Sequence, residues 1–178
     1  MDFDGLVDRY EKPIYNLIYR LIGDREEAAD LTQETFVAAY RSYSTFRGES
    51  SAYTWLYRIA VNKCKNKFKE KDRRKEYEGF SLDGGVDDEC VKAVDVAASH
   101  ESPEAALRQK ELKERIEEAI TQLPPDYRIV AVLRDLHGLS YEEVAKTADL
   151  SVDVVRTRLA RARSMLRQRL ESYLIEEE

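Results

Sequence analysis

Between Leu139 and Arg169 the chain reads LSYEEVAKTADLSVDVVRTRLARARSMLRQR, and its apolar spacing leaves room for little except two short helices meeting at a tight turn. Ser140 with Glu143 has the spacing of a capping box, which predicts a helix start. Tyr141, Val144, Ala145 and Ala148 then fall at i, i+3, i+4 and i+7, one apolar helix face. After Ala148-Asp149-Leu150, Ser151 can cap a second helix. That helix turns Val155, Leu159, Ala162 and Leu166 inward. Its other faces carry Arg156, Arg158, Arg161, Arg163, Arg167 and Arg169, with no acidic residue from Val154 to Arg169. Two short helices, the second rich in arginine, have the layout of a helix-turn-helix DNA reader. Arginine suits that task because its flat fork can bond phosphates or a guanine edge at two points at once. The same pattern fits a solvated basic helix in an ordinary bundle, since helix-turn-helix sequences are short and degenerate.

Helical periodicity runs through most of the remaining chain, and no alternating strand pattern interrupts it. Phe3, Leu6, Val7 and Tyr10 form a first stripe. Pro13 is expected to interrupt it, because proline prefers a helix's first turn. Ile14, Leu17, Ile18 and Leu21 continue in a second helix ending near Gly23. Asp24 with Glu27 opens another helix through Ala28, Leu31, Thr35, Ala39 and Tyr43. Phe46-Arg47-Gly48 breaks the pattern, and a further helix runs from near Ser51 to about Lys71. Periodicity fades from Glu76 to Ser102, where Gly79, Gly84, Gly85 and Asp87-Asp88-Glu89 predict a flexible linker. Ser102-Pro103-Glu104 is a helix start, followed by a core stripe of Leu112, Ile116, Ala119, Ile120 and Leu123. Pro124-Pro125 opens the next helix, through Tyr127, Val130, Leu133 and Leu136, and Gly138 can terminate it. The fold class is therefore all-α. Two small helical domains, 1–75 and 103–178, are joined by an acidic linker at 76–102, with the helix-turn-helix in the second.

Charge is segregated along this plan. The whole chain carries a net charge of −6, so nucleic-acid binding must come from local patches rather than overall basicity. Residues 63–75 hold eight Lys or Arg against two acids, whereas residues 76–104 hold nine acids against one base. An acidic segment can keep a DNA reader off non-specific DNA or attract a basic partner. Cys64 and Cys90 form no CxxC and have no nearby histidine pair, so neither a zinc motif nor a disulfide framework is expected. Reduced thiols are the default. No apolar run approaches the roughly 18–20 residues needed to span a bilayer, and the N-terminus lacks the regions of a signal peptide. A soluble, intracellular protein is expected. The phosphate-loop, dinucleotide, zinc-protease and hydrolase-elbow motifs are missing, so catalysis, metal and cofactor are not expected.

Two further blocks carry chemistry. In Tyr53–Lys69, aromatics (Tyr53, Trp55, Tyr57, Phe68) interleave with bases (Arg58, Lys63, Lys65, Lys67, Lys69) and amides (Asn62, Asn66). That combination suits single-stranded nucleic acid, whose bases stack on aromatic rings while lysines follow the backbone. Trp55, Leu56, Ile59 and Ala60 can equally be core with lysines solvating the far side. In Asp30–Tyr40, Asp30, Gln33 and Glu34 share about one helical turn, with Phe36 and Tyr40 on an adjacent face. Charges beside an aromatic can form a protein-docking surface, though such a face is often merely solvated.

Four segments together resemble the bacterial RNA polymerase sigma factors of the extracytoplasmic-function (ECF) type, the two-domain class of the sigma-70 superfamily: DLTQETFVAAYRSYSTFRG (30–48), YTWLYRIAVNKCKN (53–66), LPPDYRIVAVLRDLHGLSYEEVA (123–145) and VRTRLARAR (155–163). Each is moderately specific, and their order around an acidic linker is highly specific. The resemblance implies an initiation factor that delivers core RNA polymerase to promoters. Asp30, Gln33, Glu34 and Phe36 match the helix that docks on the clamp of the largest subunit, and the second domain would meet the flap of the second-largest. Phe46 and Arg47 match the segment that captures a flipped base of the minus-ten element. Trp55, Arg58, Asn62 and Lys63 match the helix beside the melting strand. Arg156, Thr157, Ala160 and Arg161 match the positions that meet the duplex minus-thirty-five element, with Arg163 a phosphate contact. Control by an anti-sigma factor is also implied. Asp153 and Ala160 depart from the common pattern and bear on which promoter is read. A stand-alone dimeric helix-turn-helix repressor or activator, and an RNA-binding adaptor, are the competing readings.

Overall fold

The computed structural model describes residues 3–46, 51–78 and 103–175. They form α1 (Phe3–Ile22), α2 (Arg25–Ser42), a 3-10 turn (Tyr43–Thr45), α3 (Ala52–Glu78), α4 (Pro103–Thr121), α5 (Pro125–Ala131) running into a π-helical turn (Val132–Leu136), α6 (Tyr141–Ala148) and α7 (Val152–Ile175). No strand occurs among the described residues. No described helix is long and apolar enough to cross a membrane. The predicted linker lies almost wholly outside the described residues, as do Arg47 and Cys90.

Helices α1, α2 and α3 pack around Leu6, Ile14, Leu17, Ile18, Leu21, Ala28, Leu56, Ala60 and Val61, all nearly inaccessible. Each stripe is the inward face of an amphipathic helix. Asp24 caps α2 by accepting from the Glu27 backbone N–H at 2.8 Å, as its spacing predicts. Pro13 corrects the sequence reading: it lies inside α1 rather than between two helices. The proline removes one hydrogen bond to the carbonyl four residues back, which belongs to the exposed Arg9. The continuous buried row Ile14, Leu17, Ile18 and Leu21 outweighs that loss.

In the second half, α5, α6 and α7 enclose Val130, Leu133, Leu139, Val144, Val155 and Leu159. The capping box of α6 is complete: Ser140 Oγ accepts from Glu143 N–H at 3.1 Å while Glu143 Oε2 accepts from Ser140 N–H at 2.8 Å. Asp149 adopts φ 57°, ψ 56° and turns the chain between α6 and α7, and Ser151 Oγ caps α7 at Val154 N–H, 3.3 Å. Gly138, at φ 70°, ends the π-helical turn as predicted. Leu112 is a correction: it is 55% exposed rather than core, whereas Ile116, Ala119 and Ile120 further along α4 pack against the body.

The two halves share one apolar cluster, with α6 lying on α3 and α4 and α5 lying against α1. Tyr57 of α3 is 1% exposed and its hydroxyl bonds His137 Nδ1 at 2.9 Å. His137 Nε2 has no hydrogen-bond partner among the described residues. Burial, followed by the nearby Arg20 charge, pulls the His137 pKa down to about 4.

Two outcomes follow from this architecture. Ser140→Ala removes half of the capping box and is expected to cost about 1 kcal/mol, read as a lowered Tm. His137 is neutral when packed, so its contact is fully present above the ordinary value of 6.5 and weakens as pH falls from there towards about 4. Between pH 7 and pH 5 the wild type should lose more thermal stability than His137→Asn; equal losses would show that this contact does not titrate.

Candidate nucleic-acid interface

The first candidate surface is built by α7. Burying Val155, Leu159 and Ala162 leaves Arg156, Thr157, Ala160, Arg161 and Arg163 exposed along one face, the five residues the sequence nominates. Their surroundings differ. Arg156 lies 3.6 Å from Asp153 in a solvent-exposed ion pair, an interaction worth about 0–1 kcal/mol and readily exchanged. Its guanidinium also sits 5.7 Å from the Tyr141 ring, which Arg134 approaches at 4.9 Å. Thr157 Oγ1 donates to the Asp153 carbonyl at 2.9 Å. Arg161 touches the Tyr127 hydroxyl at 3.5 Å.

Arg163 is held more firmly. Its Nε and Nη2 donate to the two carboxylate oxygens of Asp135 at 3.0 and 2.5 Å, and that bond raises its pKa further. A bidentate arginine–carboxylate pair is the strong form of ion pair, so a phosphate must displace Asp135 to engage Arg163. Arg158 is likewise turned aside, 3.1 Å from Asp126. The sequence offered no sign of the Asp135 and Asp126 partners, which lie far from these arginines in the chain.

A second surface joins the end of α2 to α3. The Phe46 ring stacks on Trp55, centroids 4.6 Å apart and planes at 29°, so the turn after α2 delivers an aromatic face to the start of α3. Arg58 and Asn62 are exposed on the following turns of α3. Lys63 donates to Glu34 Oε2 at 2.8 Å. Arg47 lies outside the described residues.

The remainder of the aromatic-basic block is turned elsewhere. Tyr57 and Tyr53 face the second half, with rings 4.0 Å apart, and burial pushes both hydroxyls above their usual pKa. Lys65 donates to the Ala148 carbonyl at 2.5 Å. Lys67 and Lys71 pair with Glu27 of α2 at 3.6 and 2.6 Å. Four lysines of the run thus bridge α3 to neighbouring helices.

Along α2 beside α3, Asp30, Gln33 and Glu34 line a shallow concavity of about 440 Å³ with Val37, Arg41 and Lys63. Phe36 is 9% exposed and belongs to the core, so it supports this surface from beneath. The apolar groups it shows are Val37, 50% exposed, and Tyr40, 67% exposed, whose ring meets Phe3 edge-on at 5.1 Å. Val37 was missed in the sequence; its position one residue past the buried Phe36 was the available signal.

Comparison with known proteins agrees with this arrangement. Residues 6–74 match Sigma-70 region 2 and residues 113–166 match Sigma-70, region 4. The chain is 39% identical to the RNA polymerase sigma-H factor of Pseudomonas aeruginosa, over 98% of this chain and 89% of that protein. It is 38% identical to the ECF RNA polymerase sigma-E factor of Haemophilus influenzae, over 95% and 87%. Among solved structures, the sigma factor RpoE in complex with the anti-sigma factor NepR from Bartonella quintana has the same fold, with a TM-score of 0.68, 23% identity and coverage of 96% of this chain and 97% of that one. CnrH in complex with the cytosolic domain of CnrY gives a TM-score of 0.65 at 23% identity, covering 96% and 88%. With two sigma-70 regions in order and relatives of this identity along almost its whole length, the chain belongs to the ECF RNA polymerase sigma factors, a family of transcription initiation factors.

Proposed function

We propose that this sigma factor binds core RNA polymerase through the α2 surface and reads two promoter elements with two separate helices. Residues 1–75 act as the docking and minus-ten domain, residues 103–178 as the minus-thirty-five domain, and residues 76–102 as the connection. The observation that carries this reading is the row Arg156, Thr157, Ala160 and Arg161, exposed on one face of the second helix of a helix-turn-helix.

Asp30, Gln33 and Glu34, with Val37 beside them, meet the clamp of the largest subunit, and the second domain meets the flap of the second-largest. On α7, the arginines supply bidentate contacts to guanine or phosphate, Ala160 offers a methyl-sized surface to thymine, and Arg163 engages a phosphate once it leaves Asp135. At the minus-ten element the Phe46–Trp55 stack receives unstacked bases. Extruding a base costs a few kcal/mol, and each base stacked on an aromatic returns about 1–3 kcal/mol. Arg47, Arg58, Asn62 and Lys63 flank that strand. The protein acts in the cytoplasm, without catalysis or a cofactor of its own. Two solved structures of this fold hold an anti-sigma factor or the cytosolic domain of a partner, which supports control of this chain by an anti-sigma factor that covers Arg156 and Arg161.

Runoff transcription with bacterial core polymerase on promoter fragments tests the reading. Protein-dependent transcripts are expected, and they should disappear with Arg156→Ala/Arg161→Ala and with Gln33→Ala/Val37→Asp. Tight duplex binding without core binding or transcript would reject it. Trp55→Ala should weaken holoenzyme binding to a melted fork by about 1–3 kcal/mol and leave binding of the duplex upstream element unaltered. Asp135→Asn releases Arg163, so duplex binding should become tighter at low salt and its log–log salt slope steeper by about 1.

A further inference from the structure

We propose that Asp153 is a base-reading residue, which makes the minus-thirty-five element of this chain include a cytosine beside the guanine taken by Arg156. This role rests on the promoter-reading function above. Asp153 itself lies outside all four segments that resemble the sigma factors.

Asp153 stands at the head of the reading face. Residues three, four and seven apart share one side of a helix, and Asp153, Arg156, Thr157 and Ala160 have that spacing along α7. Two contacts tie Asp153 to the row. Its carboxylate lies 3.6 Å from Arg156 Nη1, and its carbonyl accepts the Thr157 hydroxyl at 2.9 Å. The side chain is 92% exposed, so most of the carboxylate faces solvent. Asp153 is also in the first turn of α7, and in a helix-turn-helix the N-terminal residues of the second helix are those that meet base edges. A phosphate contact is disfavoured at this place. The N–H groups of a helix start would otherwise attract one. Here the Ser151 hydroxyl already takes the Val154 N–H at 3.3 Å, and the Asp153 charge repels phosphate oxygens.

Hydrogen-bond chemistry then selects the base. An ionised carboxylate only accepts hydrogen bonds. In the major groove guanine presents two acceptors, and thymine an acceptor and a methyl group. Cytosine presents its N4 amino donor, whereas adenine sets its N6 donor beside the N7 acceptor. Cytosine is the match, adenine a partial one, and guanine and thymine are repelled. Arg156 fits alongside. Its guanidinium has several N–H donors. Two reach guanine O6 and N7, and another holds one Asp153 oxygen while the second oxygen takes cytosine N4. Three residues advance a helix by about 4.5 Å, and one base pair advances DNA by about 3.4 Å, so the two side chains fall on adjoining pairs. The Tyr141 ring, 5.7 Å from the Arg156 guanidinium, further restrains that arginine.

The test uses holoenzyme formed from the full chain and bacterial core polymerase, selecting from promoter duplexes whose minus-thirty-five element is randomised. The wild type should enrich cytosine over guanine and thymine by about tenfold or more at a pair adjoining a selected guanine. Asp153→Ala should abolish that preference while the neighbouring guanine stays selected. Asp153→Asn keeps the shape but adds an amide donor, and should move the preference to adenine through N6 and N7. An acid that served only to stabilise the helix start would not change which base is chosen. A wild type indifferent to cytosine beside guanine, or an unchanged base preference in both variants, would overturn the assignment. A wild-type holoenzyme that selects no sequence and gives no transcript would instead overturn the sigma reading itself, so the two failures are distinct.

Discussion

One guanidinium holds much of this molecule in register. Arg128 bonds the carbonyls of Leu21, Thr121 and Leu123 and faces the Phe68 ring, so it joins α1, the end of α4, the turn before α5, and α3. Each of those carbonyls lies at or just beyond a helix end, where no intrahelical donor exists. Burial lowers the Arg128 pKa, but a guanidinium stays charged under any ordinary condition, so its burial is tolerable only because its donors are engaged. The α1–α2–α3 core and the helix-turn-helix are consequently packed as parts of one body, although each has its own apolar interior.

The arginines of α7 show how one basic helix serves two purposes. Arg156 and Arg161 stand on the open face with weak partners, while Arg158 and Arg163 are committed to Asp126 and Asp135. The committed pair fixes α7 against α5 and the π-helical turn, and the open pair remains available to a ligand. The lysines of α3 are engaged more fully: Lys67 and Lys71 bind Glu27, Lys63 binds Glu34 and Lys65 the Ala148 carbonyl. A count of positive charges therefore overstates the surface available to DNA, because six of these eight side chains are engaged with partners on neighbouring helices or turns.

The helix-turn-helix was legible because its signals are local. Ser140 with Glu143, Ser151 with Val154, and the inward spacing of Val155, Leu159 and Ala162 all lie within a few residues. The exposed face of α7 follows from the same periodicity. What the sequence concealed depends on distance along the chain. Nothing near Arg163 points to Asp135, 28 residues away, and nothing in the Tyr57 neighbourhood points to His137, 80 residues away. Periodicity also says which face of a helix is apolar without saying how far the neighbouring body extends, which is why Leu112 fits the stripe yet stands in solvent. Pro13 misled for a related reason: local preference argues for a break, and the tertiary burial of residues on either side decides otherwise.

The π-helical turn at Val132–Leu136 has a consequence for the history of sequences like this one. Its wide ring, closed by His137 N–H on the Val132 carbonyl at 3.1 Å, holds Leu133 in the core while aiming Asp135 at Arg163 and His137 at Tyr57. Each residue of an α-helix advances the chain by about 100°, so losing one residue here would swing both side chains to unrelated directions at once. A substitution here alters one contact, whereas a change of length alters all of them at once. Insertions and deletions should accumulate on either side of it and spare the five residues themselves.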